Sequence, residues 1–378
     1  MKTAVGNFKA IFILSSSLVL ENTTLNSSLS TEKGDKVHDI IIIFLTCLVS
    51  AVATSGNLFI IYLYYSNKKL QTINNIPLIS LAVADLIIGL YPINTNTLET
   101  IIGYWPFINL LCELTLVTDY SCCQASIYHV IIISVDRYYS IKQPLVYRGN
   151  KRKSVVKICL LFLWSISFML WAPIITLYKY VLGRSIKTLC YKDFLTFDNM
   201  KIYNFETYFL IASIGVGYFV VIPVVILIYW KIYFLIKARF SVMQHRNHRI
   251  SVIYSSRKKS SIGVEFKDQT QNQNNTAFQN FPSNKKFLQQ RELLREKKAL
   301  KMIAGILTVF VVTWFPYNLQ MVLLPFCPNY YNSYAFDISD ILSYSNSAVN
   351  PFLYAFVNPD FRSSMNKMIK KVSGLVNF

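Results

Sequence analysis

Charge is scarce in this sequence, and acid is scarcer than base. Charged residues make up 15% of the 378, with 19 Asp plus Glu against 38 Lys plus Arg. A soluble globular chain carries roughly 25% charged residues, so a string of soluble domains is excluded. The apolar residues also come in blocks of membrane-spanning length. Seven cysteines are too few for a disulfide scaffold, and four histidines argue against a histidine-based metal centre. No Gly-rich phosphate loop, HExxH helix, paired CxxC or nucleophile triad is present, so no enzyme is expected. What the chain has instead is aromatic side chains, 26 Phe, 25 Tyr and 5 Trp, which exclude disorder for most of its length. The net charge of +19 suggests nucleic acid in a soluble protein. In a membrane chain it reports sidedness instead, and no nucleic-acid partner is expected.

Seven apolar segments are long enough to cross a bilayer: Ile40–Tyr65, Ile76–Leu98, Leu110–Tyr138, Val155–Tyr178, Tyr208–Ile236, Leu300–Phe326 and Ala335–Val357. The expected fold is an all-α seven-transmembrane helix bundle with a short amphipathic helix after it. Basic residues cluster after spans one, three, five and seven, as in Lys68-Lys69, Lys151-Arg152-Lys153, Arg257-Lys258-Lys259 and Lys370-Lys371. All four clusters fall on one side of a seven-span chain. That side is cytoplasmic by the positive-inside bias, which puts the N-terminus outside. Residues 1–39 form an extracellular tail with glycosylation sequons at Asn22 and Asn26. The run Ala10–Leu20 is too short to span, and reads either as a signal-peptide core or as an uncleaved part of the tail. The transmembrane domain covers 40–357. Within it, 238–295 is a third cytoplasmic loop rich in Asn, Gln, Ser, Lys and Arg, expected to be mostly disordered with helical extensions at its ends. Residues 358–378 form the amphipathic helix and tail.

Ionisable groups inside spans are costly and mark sites by default. Asp85 lies mid-span in an apolar run, and reads either as an acid satisfied by hydroxyls or as a cation site with Ser126, Asn346 and Asn350. In span three, Asp119, Ser126 and Arg137 follow at steps of 7 and 11 residues, which at about 100° per residue places them on one face. Asp119 and Arg137 are five turns apart, about 27 Å, so one helix joins an outer site to an inner one. Asp119 in the outer third, followed by Tyr120, suits a counter-ion for a cationic ligand. Tyr120, Trp314, Tyr317 and Tyr344 would then supply an aromatic cage. The same four residues also read as packing aromatics, and spacing does not separate the two. Cys112, at the outer end of span three, and Cys190, in the second outer loop, share an oxidising compartment that allows a disulfide. Asp136-Arg137 reads either as an interfacial ion pair or as part of the inner site.

These residues resemble the rhodopsin-like G-protein-coupled receptors over about Ile40–Lys371. The resemblance rests on Gly56-Asn57, Leu81-Ala82-Val83-Ala84-Asp85, Trp105 before Cys112, Asp136-Arg137-Tyr138, Trp164, Pro223, Trp314-Phe315-Pro316, Asn350-Pro351-Phe352-Leu353-Tyr354 and Phe361. Within that family the chain looks most like the muscarinic acetylcholine receptors, with histamine receptors as rival. Asp119 occupies the amine counter-ion position, and Asp119-Tyr120, Ala125-Ser126, Arg295-Glu296-Lys297-Lys298 and Trp314-Phe315-Pro316-Tyr317-Asn318 fit the muscarinic group. There are departures. Ala212, Gly215 and Phe219 stand where the ligand-facing span-five residues are expected, and Asp340 replaces the third lid tyrosine.

The resemblance implies a multi-pass plasma-membrane receptor for a small cationic biogenic amine, of acetylcholine type or, alternatively, of histamine, trace-amine or diamine type. It implies Asp119, Tyr120, Trp314, Tyr317, Asn318, Asp340 and Tyr344 as ligand residues, and an allosteric sodium ion at Asp85 with no other cofactor. It implies coupling to a heterotrimeric G protein through Asp136, Arg137, Tyr138, Asn350, Pro351 and Tyr354, with Glu296 pairing to Arg137 at rest. Arrestin and receptor kinases are the further partners, besides the lipid bilayer itself. A retinal protein is excluded, since residues 337–354 contain no lysine for a Schiff base. A transporter is disfavoured by the absence of paired repeats with broken helices. A peptide receptor would leave Asp119 unexplained.

Overall fold

The computed structural model describes residues 28–143, 151–182, 190, 216–260, 301, 304–323 and 332–376, and these are helical apart from short connections. The chain divides into two compact units, Met1–Phe44 and Leu45–Phe378. The first holds the opening turns of helix Ser28–Ser66, which begins well before Ile40. The tail residues Asn22 and Asn26, and the run Ala10–Leu20, lie outside the described residues.

Among the described residues, six helices are long and apolar enough to cross a membrane: Lys36–Ser66, Ile73–Ile102, Asn109–Lys142, Lys153–Thr176, Tyr218–Val242 and Ala304–Leu323. These are spans one to six. The seventh expected span is helix Ser333–Val357, whose 25 residues exceed the roughly 20 a bilayer requires. It is not among the six because it is rich in Asp, Ser and Asn. Ser339, Ser343, Asn346, Ser347 and Asn350 are all buried, so its polar side is turned into protein.

Span two breaks where Pro92 interrupts it, giving helices Ile76–Leu90 and Pro92–Ile102. A proline inside a helix removes one N–H and frees carbonyls upstream. Here the Gly89 carbonyl accepts from Asn94 Nδ2 at 3.0 Å and lies 2.9 Å from Ser50 Oγ. The outer segment then ends at Gly103, whose φ of 79° suits a residue without a side chain. Spans one and seven approach closely at Gly56, where an added Cβ would sit 2.9 Å from Pro351 Cγ. Beside this contact Asn57 Nδ2 donates to the Ser347 carbonyl at 3.0 Å.

Spans two, three and four are joined by a buried chain of polar groups. Trp164 Nε1 donates to Ser80 Oγ at 3.1 Å, His129 Nε2 is 2.8 Å from the same oxygen, and His129 Nδ1 is 2.7 Å from the Ala125 carbonyl. A carbonyl can only accept and an indole can only donate. The closed arrangement is therefore Trp164 to Ser80, Ser80 to His129 Nε2, and His129 Nδ1–H to Ala125. Trp164 serves structure here.

Span five contains a π-helical turn, Val216–Val220, ahead of helix Val221–Ser260. Residues 261–295 lie outside the described residues, and the helix continues beyond Ala238 to Ser260, where a helical extension is expected. The reason is compositional: no Gly or Pro occurs between Pro223 and Gly263, so nothing breaks the helix. The described chain ends in helix Pro359–Val376. Phe361 is fully buried against Tyr354, ring centroids 6.4 Å apart. Asn67 Nδ2 donates to Ser364 Oγ at 2.7 Å and ties this helix to the end of span one.

Candidate functional site

Asp119 is the natural starting point, because a carboxylate only 6% exposed inside a span needs donors. Span seven supplies one: Tyr344 Oη donates to Asp119 Oδ2 at 2.7 Å. A second comes from the next turn of span three, where Cys123 Sγ lies 3.6 Å from Asp119 Oδ1. Around this group stand three aromatic side chains singled out by the sequence. Tyr120 is stacked on Trp171 at 4.7 Å between centroids, and its side chain interacts with that of Tyr317. Tyr317 in turn meets Trp314 edge-on at 6.4 Å and Phe336 at 5.7 Å. Asn318 is buried one position further on, with one amide hydrogen given to the Trp314 carbonyl at 2.8 Å.

Asp340 belongs to the same neighbourhood. It lies within electrostatic range of Asp119, Tyr120 and Tyr317. Its Oδ2 accepts from Asn96 Nδ2 of the outer half of span two at 3.0 Å. Lys187 and Lys192, the loop cations that would offer Asp340 an ionic partner, lie outside the described residues. The seven expected ligand residues thus gather from spans three, six and seven into one region. Seven residues before Asp119, span three carries the disulfide Cys112–Cys190, S–S 2.05 Å.

Three participants were not legible in advance. Asn96 carries no signal in the sequence beyond being polar. Trp171 packs on Tyr120 from span four. In span five, Tyr218 is 1% exposed and donates from Oη to the Val311 carbonyl at 3.0 Å, while the neighbouring Phe219 is 38% exposed. The expectation that Phe219 faces the ligand is therefore corrected. It rested on the position the resemblance implies, and in this chain a π-helical turn occupies Val216–Val220.

Deeper in the bundle, Asp85 is fully buried and accepts from Asn350 Nδ2 at 2.8 Å. Asp85 Oδ1, Ser126 Oγ and Asn350 Oδ1 are buried without a hydrogen bond of good geometry, although the Ser126 and Ser347 side chains approach Asp85. Buried oxygens are nearly always satisfied, and such exceptions mark places for water or an ion. Asn346, the fourth expected member, is buried on the same helix. Tyr354 is fully buried too, and its hydroxyl has no partner.

Toward the far end of span three from Asp119, Arg137 Nη2 donates to the Asn74 carbonyl at 3.2 Å. Asp136 is buried beside it in sequence, and Tyr138 is only partly covered, with Lys142 Nζ 5.4 Å from its ring centroid. Glu296 lies outside the described residues.

Comparison with known proteins agrees with this geometry. The family of 7 transmembrane receptors (rhodopsin family) matches residues 56–354. The chain is 34% identical to the muscarinic acetylcholine receptor M3 of Gallus gallus over 216 residues, which is 56% of this chain and 32% of that receptor. It is 26% identical to the muscarinic acetylcholine receptor M1 of Sus scrofa over 86% of this chain and 87% of the relative. It is 27% identical to the 5-hydroxytryptamine receptor 1B of Spalax ehrenbergi over 88% and 87%. The outer carboxylate, the buried polar core and the arginine at the inner end of span three sit in a chain whose match to one family covers most of its length. This multi-pass membrane protein belongs to the rhodopsin family of seven-transmembrane receptors.

Proposed function

We propose that the protein is a cell-surface receptor for a small cationic amine of the acetylcholine type. In this reading its N-terminus is extracellular and its occupied state promotes nucleotide exchange on a heterotrimeric G protein. The observation that carries the reading is Asp119, buried, oriented by Tyr344 and flanked by Tyr120 and Tyr317. A carboxylate held this way among aromatic rings offers an ammonium group both a counter-ion and π faces. Asn22 and Asn26 are the proposed glycosylation sites, and arrestin and receptor kinases the proposed regulators. The test is a panel of biogenic amines on transfected cells, read through a promiscuous G protein. A receptor silent to every amine in the panel would remove the reading.

The mechanism is a shift between two states. Ligand at Asp119 bridges spans three, six and seven, and binds more tightly when they adopt the signalling arrangement. Glu296 on the cytoplasmic approach to span six is proposed to pair with Arg137 at rest. Replacement by alanine should then raise agonist-free signalling severalfold, measured as basal nucleotide exchange at matched surface expression. Basal turnover equal to that of the unaltered receptor would show that no such restraint operates.

The orphaned oxygens of Asp85, Ser126 and Asn350 suit a hard cation such as sodium. Asp85 would supply the charge, and Ser126 and Asn350 neutral oxygens. Such an ion would hold spans two, three and seven in the resting arrangement.

A second reading, a ligand with two ammonium groups, is favoured by Asp340, a second carboxylate within range of Asp119. A double-mutant cycle separates the two. Potencies of a monoamine and a matched diamine are measured on the unaltered receptor, Asp340→Asn, Asp119→Asn and the pair. The dication reading expects Asp340→Asn to weaken the diamine at least tenfold and the monoamine hardly at all. Equal shifts for both ligands would leave the acetylcholine type standing alone.

A further inference from the structure

We propose that the outward face of span five binds the headgroup of an anionic phospholipid of the inner leaflet, through Lys231 and Lys237. The site is separate from the amine pocket and does not depend on Asp119. It uses only the sidedness drawn from the basic clusters.

An ammonium group inside a span is costly, and it calls for a partner. Lys231 lies in helix Val221–Ser260, five residues or about 7.5 Å inside Ile236, where span five is expected to end. It is exposed, and no described residue forms an ion pair with it. Its own helix offers no acid, since neither Asp nor Glu occurs between Glu206 and Glu265. A second copy of the chain offers none from spans two or three, where Asp85, Asp119 and Asp136 are all buried. The counter-charge on this face therefore comes from the membrane.

The face is well defined. Ile232 and Ile236 are buried and cluster with Ile141 of span three. At about 100° per residue, Trp230, Lys231, Phe234 and Lys237 fall on the opposite side of the helix. All four are exposed. Trp230 and Phe234 meet edge-on at 5.2 Å, and Phe234 meets Tyr233 at 5.5 Å. Exposed rings beside basic groups are what a membrane interface selects. The rings line the acyl chain, and the lysines take the phosphate.

A lysine can bend its ammonium toward the interface. In a helix, however, the Cα–Cβ bond tilts toward the N-terminus, which in span five is the outer end. Lys231 thus leaves the helix toward the bilayer centre. Lys237, about 9 Å further along the axis, tilts back toward it. A phosphate between the two meets both ammonium groups without either having to reach bulk water. The inner leaflet is where anionic lipids concentrate. A zwitterionic headgroup brings its own ammonium and gains less from the pair.

The experiment places the full receptor in phosphatidylcholine vesicles and quenches tryptophan fluorescence with lipids brominated in their acyl chains. Trp230 is one of five tryptophans, and its share of the signal is the difference from Trp230→Phe. Each lysine is expected to favour an anionic headgroup about fivefold. Brominated phosphatidylserine should therefore associate at Trp230 about tenfold or more over brominated phosphatidylcholine. Lys231→Gln and Lys237→Gln should each cut that preference about fivefold, and the double variant should bring it to parity. Lys153→Gln, exposed at the start of span four, should leave it unchanged. Quenching by brominated phosphatidylcholine should stay the same throughout, which reports that the variants fold. Inorganic phosphate in the buffer should not compete. An unaltered receptor without the preference overturns the proposal, as does a preference that survives the double substitution. Equal loss in Lys153→Gln would reduce it to general attraction to a charged membrane. Competition by inorganic phosphate would assign the lysines to a soluble anion. Loss of phosphatidylcholine quenching in Lys231→Gln would make the lysine part of the fold, and also overturns the proposal.

Discussion

Asp119→Asn is expected to abolish the response to amines while the receptor still reaches the cell surface. Asparagine preserves the size and shape of the side chain. Its amide oxygen still accepts from Tyr344, which now donates at 2.7 Å. What disappears is the negative charge. Removing one partner of a buried charge pair costs about 2–5 kcal/mol, which corresponds to roughly thirtyfold to several-thousandfold in potency. The fold should tolerate the change, because burying a neutral amide costs less than burying a carboxylate. Agonist concentration–response curves and surface labelling on the same cells make the comparison. Unchanged potency at normal expression would mean that Asp119 does not hold the ammonium group. Loss of expression together with response would place Asp119 in the fold instead.

The reason this residue stood out in the sequence also explains what did not. A carboxylate in an apolar run is visible without any structure, because the bilayer makes it expensive. Asp85, Asp119 and the Asp136-Arg137 pair were legible for that reason. The helical step of about 100° then placed Asp119, Ser126 and Arg137 on one face. Asp119 and Ser126 are indeed buried, and Arg137 is at least partly so. Contacts between helices are of another kind. The bonds of Asp119 with Tyr344, Asp85 with Asn350 and Asn96 with Asp340 join residues 225, 265 and 244 positions apart. Periodicity says which face a residue occupies but not which helix that face will meet. It fails outright where the step itself changes. The π turn at Val216–Val220 departs from that step, and within it Tyr218 is buried while Phe219, the position the resemblance selects, is exposed.

Asp85→Asn is expected to remove any dependence of agonist potency on sodium. On the proposed reading, Asp85, Ser126 and Asn350 would hold sodium in the arrangement in which Asn350 Nδ2 donates to Asp85 at 2.8 Å. An agonist that favours the other arrangement must overcome that stabilisation, so its potency falls as sodium rises. The coupling is reciprocal, and agonist weakens sodium by the same factor. For an ion bound to the resting state alone, a concentration ten times its dissociation constant lowers the population of the other state about elevenfold. Potency in sodium chloride against the same ionic strength of N-methylglucamine chloride should differ by that order in the unaltered receptor. Asparagine at position 85 keeps an oxygen and the volume but supplies no charge to an ion in a site with only neutral oxygens besides. Potency should then be the same in the two salts, while Asp119→Asn, about two turns from Ser126 on the same helix, should leave sodium binding measurable by its effect on thermal stability. A sodium effect that persists in Asp85→Asn would assign the three orphaned oxygens to ordered water and move the ion elsewhere. Potency equal in the two salts for the unaltered receptor would leave Asp85 as a buried structural acid bonded to Asn350.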